Sequence, residues 1–278
     1  MGRVHNFARN ILYVFVMVVR FMGFSQQLKR LVPVKLRILR SNAIHAWRRD
    51  SAYQERRGRS EFFQKAFRGL QFNGISGGYA EFGCCGAMTF SLAFQAARQN
   101  GHSAHFWAFD SFQGLPPQAG SEDSHPMWVE GDMSMSLDDF RAVCRSAGMT
   151  ERDFTTVKGF YGDTLKATAM SAPGRPDQLS LVYIDCDLYS STIDVLRFIA
   201  PRLRHGMVIA FDDYFCTSED TISGERLALL EFIEEMRDFS FLPYLPIGWH
   251  GMSFVVESRR LLERPSLRDP MVLRQQHG

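Results

Sequence analysis

No C-x-x-C pair occurs in the sequence. Its five cysteines (Cys84, Cys85, Cys144, Cys186 and Cys216) are an odd number without metal-ligand spacing. That excludes a zinc knuckle and argues against a disulfide framework, so a reducing, cytoplasmic setting is expected. No apolar run reaches the ~20 residues of a membrane span. The longest, Ile11–Val19, meets Arg20 before Phe21–Phe24. As a helix, Ile11–Phe24 would reach about 21 Å, short of the roughly 30 Å hydrocarbon core. The FMGFSQQ that ends it offers a poor cleavage site, and Asn6 stands where a myristoylation signal wants Ser or Thr. Internal repeats and low-complexity segments are missing too.

What is present is enough apolar residue, 45% of 278, for one large α/β domain plus an appendage. Charge divides the two. The first 60 residues hold 13 Lys and Arg against two acids, and the remainder holds 19 against 28. Residues 1–60 are therefore expected to be a basic, partly apolar helical extension ahead of a domain covering 61–278. Three readings of the extension stand: peripheral contact with an acidic membrane surface through residues 1–40, a helix packed on the domain or a second subunit of a homo-oligomer, and a span, which Arg20 weakens. Its bases are not interleaved with stacking aromatics, so no nucleic-acid partner is expected.

Along the body, Ser60–Phe72 reads as an amphipathic helix with Ser60 as N-cap and Phe62, Phe63, Ala66, Phe67 and Leu70 on one face. YAEFGCCGAM follows, a strand running into a glycine turn and a helix. Its E-x-G-x-x-G (Glu81, Gly83, Gly86) suits a nucleotide-containing cofactor but lacks the full dinucleotide fingerprint. AHFWAF is a second strand, ending at Asp110 and Ser111, where a carboxylate can accept hydrogen bonds from ribose hydroxyls. Ser121–Gly131 reads as a polar, mobile loop. Ser136 and Asp139 form a capping box, Thr155–Lys158 a third strand, and GFYGDTL carries Asp163 into another helix.

Leu179–Tyr214 is the most informative stretch. Two apolar runs, joined through a helix, each end in paired acids: Asp185 and Asp187, then Asp212 and Asp213. A parallel crossover brings both pairs to the same strand ends, the edge where open α/β sheets bind ligands. Four carboxylates with few local cations would repel one another unless a hard divalent cation sits among them. The blander alternatives are that the first pair caps the helix near Ser190 and the second pair forms a surface turn. His250 is a rival base, and Trp249 a surface for stacking on a sugar ring. An oxygenase site of two histidines and a carboxylate is disfavoured, since only His205 lies near the aspartates in sequence.

Five strands alternating with helices, then an antiparallel pair (Phe239–Pro246 and Met252–Glu257), give a doubly wound, mostly parallel, seven-stranded Rossmann-like α/β sheet with one reversed strand. Seven strings lie in collinear order between about Tyr79 and Phe232: AEFGCCGAMT, FDSFQGLP, GDMSMSLDDF, VKGFYGDTL, YIDCDLYSST, MVIAFDDY and GERLALLEF. Together they resemble the metal-dependent sugar O-methyltransferases of the macrocin (TylF) type. The resemblance implies a class I methyltransferase fold, S-adenosylmethionine as donor, Mg2+ as metal and a sugar hydroxyl as acceptor. It implies that Glu81, Gly83 and Gly86 line the methionine end of the cofactor, that Asp110 with Ser111 holds its ribose, and that Asp163 joins them. It implies Asp185, Asp212 and Asp213 as metal ligands and Asp187 as general base. The acceptor is open: a glycosylated metabolite, glycolipid or polysaccharide, or another vicinal diol such as a catechol-like ring. A non-catalytic, cofactor-binding scaffold is the alternative class, and the four intact carboxylates argue against it.

Overall fold

A computed structural model describes residues 51–166, 175–217 and 219–262. The apolar segment of residues 1–40 and its membrane reading lie outside them. Among the described residues no helix is long and apolar enough to cross a membrane. A compact unit begins at Glu55, within helix α1 (Ser51–Phe72). Ser60 is thus not an N-cap: the helix runs straight through it, and the expected boundary after residue 60 falls inside α1.

The remaining elements follow as β1 (Gly78–Phe82), α2 (Met88–Gln99), β2 (Phe106–Asp110), α3 (Leu137–Ser146), β3 (Phe154–Lys158), α4 (Tyr161–Thr164), β4 (Leu179–Ile184), α5 (Tyr189–Ile199), β5 (Val208–Phe211), α6 (Gly224–Glu235), β6 (Phe239–Ile247), β7 (Gly251–Ser258) and α7 (Arg259–Leu262). The seven strands form one sheet in the order β3-β2-β1-β4-β5-β7-β6. β7 runs antiparallel to both of its neighbours and every other pairing is parallel, as expected from the sequence.

Both faces are covered, so β4 can be buried along its whole length and read as a near-continuous apolar run. Alternation sorts the side chains. Tyr79, Leu181, Tyr183, Val208 and Ala210 face one layer with α1, α2 and α3, while Ala80, Phe82, Val182, Ile184, Ile209 and Phe211 face the other with α5 and α6. The five apolar positions expected on one face of α1 are all buried there. Ser136 caps α3 as predicted, accepting from Asp139 N–H at 3.1 Å.

Chain order reverses between β1 and β4, which opens a crevice at their carboxyl ends. Phe82 pairs with Phe109 and with Ile184, and Ile184 pairs with Phe211. One step onward therefore aligns Gly83, Asp110, Asp185 and Asp212 along one edge. Main-chain bonds carry the register to that step: Gly83 N–H to Phe109 O (3.0 Å), Asp185 N–H to Phe82 O (2.8 Å) and Asp212 N–H to Ile184 O (2.9 Å).

Phe63, fully buried on α1, has its ring 5.2 Å from that of Tyr183 and 5.9 Å from that of Tyr79. Phe63→Ala should cost about 3–5 kcal/mol in urea denaturation. A loss under about 1 kcal/mol would make α1 an accessory rather than part of the core.

Candidate active site

A cavity of about 470 Å³ opens at this edge, and its wall includes Gly83, Asp110, Ser111, Asp185, Asp187, Asp212 and Asp213. Gly83 sits at φ +86°, and a Cβ there would overlap the carbonyl oxygen of Asp185. Only glycine lets the loop after β1 pass so close to the turn after β4. Asp110 fixes that loop from the neighbouring strand, its carboxylate accepting from the N–H groups of Cys84 (2.6 Å) and Phe112 (2.5 Å). Each oxygen keeps a lone pair for a further donor. Burial raises the Asp110 pKa, and the two N–H donors oppose the rise. Ser111 builds the adjoining turn, donating to Gly114 O (2.9 Å) and accepting from Gln113 N–H (3.0 Å).

Other expected cofactor residues are not brought to the wall. Asp163 is four-fifths exposed and pairs with Lys166 at 3.1 Å. Gly86 (φ +77°) shapes the loop with open space beside it. Glu81 points into the core, where it accepts a short hydrogen bond from Tyr79 Oη.

The aspartates do converge. Asp185, Asp187 and Asp213 each offer an oxygen within 4.8 Å of the others, and Asp187 and Asp213 share a hydrogen bond. Burial first, then the neighbouring carboxylates, pushes Asp185 and Asp213 far above the usual carboxylate range; Asp187 reaches about 7 by burial and then Asp185. Neither pair caps a helix by its side chain. α5 is capped from a distance instead: Asp123, 2% exposed, accepts from Ser190 N–H (2.8 Å), Ser190 Oγ (2.9 Å) and Ala119 N–H (2.7 Å). The segment expected as a mobile polar loop is thus pinned by that carboxylate.

The expected shortage of local cations does not hold. Arg59 of α1 bonds both oxygens of Asp212, by Nε to Oδ1 at 3.0 Å and by Nη2 to Oδ2, and Tyr183 Oη also donates to Oδ1. Burial disfavours the Arg59 charge, and the Asp212 carboxylate more than restores it, so its pKa lies above the ordinary value. Asp185, Asp187 and Asp213 form one group of close ligand atoms; Asp212, which Arg59 engages, forms another with Asp213 and His250. Glu225, 1% exposed, spans the two acidic turns, accepting from the N–H groups of Cys186 (3.0 Å) and Asp213 (2.9 Å).

Sequence reasoning gave neither residue a role, although helical spacing marks both. Arg59 lies three and four positions before Phe62 and Phe63, and Glu225 three, four and seven before Ala228, Leu229 and Phe232, all buried. His250 is off the cavity wall. Its Nδ1 meets the Asp212 carbonyl at 2.6 Å, so that nitrogen carries the proton and the ring props the turn. Trp249 is exposed and also off the wall.

The donors fit the two groups that the sequence implies. Hard carboxylate oxygens whose mutual repulsion a divalent cation would relieve suit Mg2+. A glycine-shaped loop beside a carboxylate with spare lone pairs suits a nucleoside.

The macrocin O-methyltransferase (TylF) family model matches residues 52–231. The chain is 30% identical over 151 residues to the 8-demethyl-8-(2,3-dimethoxy-alpha-L-rhamnosyl)-tetracenomycin-C 4'-O-methyltransferase of Streptomyces olivaceus, covering 51% of this chain and 54% of that protein. It is 30% identical over 118 residues to the mycinamicin III 3''-O-methyltransferase of Micromonospora griseorubida, covering 39% and 43%. The matches therefore span about half, or less, of these relatives' length. Among solved structures, the O-methyltransferase NovP aligns with a TM-score of 0.60 at 22% identity, covering 73% of this chain and 80% of that one. The calicheamicin methyltransferase CalS11 aligns at 0.57 and 20%, covering 83% and 90%. The fold is that of the class I methyltransferases.

Glu81 supplies a pH test. Burial lifts its pKa to about 8, against the opposing hydrogen bond from Tyr79. The unfolded chain releases this proton near the ordinary glutamate value of about 4.3. Between those values the folded form holds a proton that the unfolded form has lost, so stability falls as pH rises across the window. Glu81→Gln should flatten that fall in urea titrations between pH 5 and 8, and a variant as steep as the parent would remove Glu81 as its source.

Proposed function

Since the chain belongs to the macrocin O-methyltransferase family, we propose that it transfers a methyl group from S-adenosylmethionine to a hydroxyl of a sugar or other vicinal diol, with Mg2+ in the acidic cluster. The observation that carries this reading is the alignment of Gly83, Asp110, Asp185 and Asp212 on adjacent parallel strands around one cavity.

The loop at Gly83 and the Asp110 carboxylate would hold the cofactor, with Asp110 accepting from its ribose hydroxyls. Asp185, Asp212 and Asp213 are proposed to hold the cation, with Asp212 exchanging some of its contact with Arg59. A bound divalent cation lowers the pKa of a coordinated hydroxyl. Asp187 is proposed as general base. Its burial, which raises its pKa above the usual carboxylate range, suits it to take the proton of the acceptor hydroxyl as that oxygen gains the methyl group. At 6% exposed, that carboxylate has little contact with bulk water. The names of the two relatives give O-methylation of a dimethoxy-rhamnosyl tetracenomycin and of mycinamicin III, and the rhamnosyl group of the first supports a sugar hydroxyl as acceptor here.

Asp187→Asn should lower turnover at least about 100-fold while S-adenosylhomocysteine affinity, read by calorimetry, stays within about twofold. Retained turnover would remove Asp187 as base. Treatment with a chelator should abolish methylation of cell-extract acceptors by labelled S-adenosylmethionine, and Mg2+ should restore it. Full activity in chelator would overturn the metal assignment.

A further inference from the structure

Asp187 stands in an unusual place for a reactive carboxylate. Its backbone is left-handed at φ +62°, a conformation that costs a non-glycine residue on the order of 1 kcal/mol or more. Such a turn persists only where its surroundings over-determine it. Leu188 N–H closes it locally onto Cys186 O at 2.6 Å. The rest of the restraint comes from α6. Gly224, at φ +58°, lies so near that a Cβ would stand 2.9 Å from the Asp187 carbonyl oxygen. Glu225 then sends one oxygen to Cys186 N–H, inside the turn, and the other to Asp213 N–H on the next strand's turn.

A fifth buried acid beside four others adds repulsion, and an amide of the same shape would avoid it. The amide cannot replace it, because both partners are N–H donors and glutamine offers a single acceptor oxygen. We infer that Glu225 is a positioning residue: its two side-chain oxygens staple the strained Asp187 turn to the Asp212–Asp213 turn and so set the spacing of the oxygens on both. The consequence for cation binding rests on the metal site proposed above, whereas the staple itself does not.

Glu225→Gln keeps the volume and loses one arm, since its –NH2 faces a donor; Glu225→Asp keeps both acceptors and loses reach. In the full chain, hydrogen exchange at the Cys186 and Asp213 amides should be slow in the parent, at least about tenfold faster at one of the two in Glu225→Gln, and at least about tenfold faster at one or both in Glu225→Asp. Mn2+ affinity by calorimetry should fall about tenfold or more, with S-adenosylhomocysteine affinity within about twofold. A purely structural role would lower the melting temperature and leave Mn2+ affinity of the folded protein unchanged, which would overturn the proposal. If the parent binds no Mn2+, the metal assignment fails on its own and exchange alone decides. Rapid exchange of both amides in the parent, or unchanged exchange in the variants, would then sink the staple.

Discussion

Like charges forced together at one end of a sheet are the constraint on which the rest of this structure depends. Two carboxylates about 4 Å apart repel by about 4 kcal/mol at an effective dielectric of about 20. Asp185, Asp187, Asp212 and Asp213 all line the cavity there, with Asp187 and Asp212 buried. The protein answers in several ways at once. Arg59 neutralises Asp212 with a forked pair of hydrogen bonds, Tyr183 and Cys216 donate to Asp212 and Asp213, and burial together with the neighbouring carboxylates pushes the pKa values of Asp185 and Asp213 upward. A divalent cation would do the same work more completely. The site thus holds charge in tension that its own groups contain only in part.

Arg59 also changes what the basic front means. By composition it belongs with twelve other bases that precede the domain. By position it is part of the acidic site, carried in by a helix whose Phe62, Phe63 and Phe67 are embedded in the core. Helix α1 therefore contributes Arg59 to the cavity wall, and its apolar face and that guanidinium are held by the same packing.

The doubly wound sheet, its reversed strand, the glycine turn and the gathering of the four aspartates at one sheet edge were legible in the sequence, because strand–helix alternation and strand-end acids are local patterns with few geometric solutions. The roles of Arg59 and Glu225 were not. Each is a charged residue on the buried face of a helix, and its partner lies far away in sequence: Asp212 for Arg59, and the turns at Cys186 and Asp213 for Glu225. Helical spacing shows that such a residue must be satisfied, without showing by what. Glu81 is the opposite case: alternation along β1 turns it to the face of Tyr79, which donates to it, although its place in the glycine motif points to the cofactor. Asp163 shows how a short helix beside the site can still carry its acid outward to Lys166.

The Asp123 carboxylate that caps α5 belongs to the segment between β2 and α3, and that same segment contributes Pro116, Pro117, Trp128 and Met133 to the cavity rim. Rim and helix are consequently one mechanical piece, with the first turn of α5 lying directly after Asp187. A lineage that reshapes this rim to admit a different molecule cannot treat it as a free decoration. Any replacement segment has to bring its own acceptor for the start of α5, or the turn that bears Asp187 shifts along with the doorway.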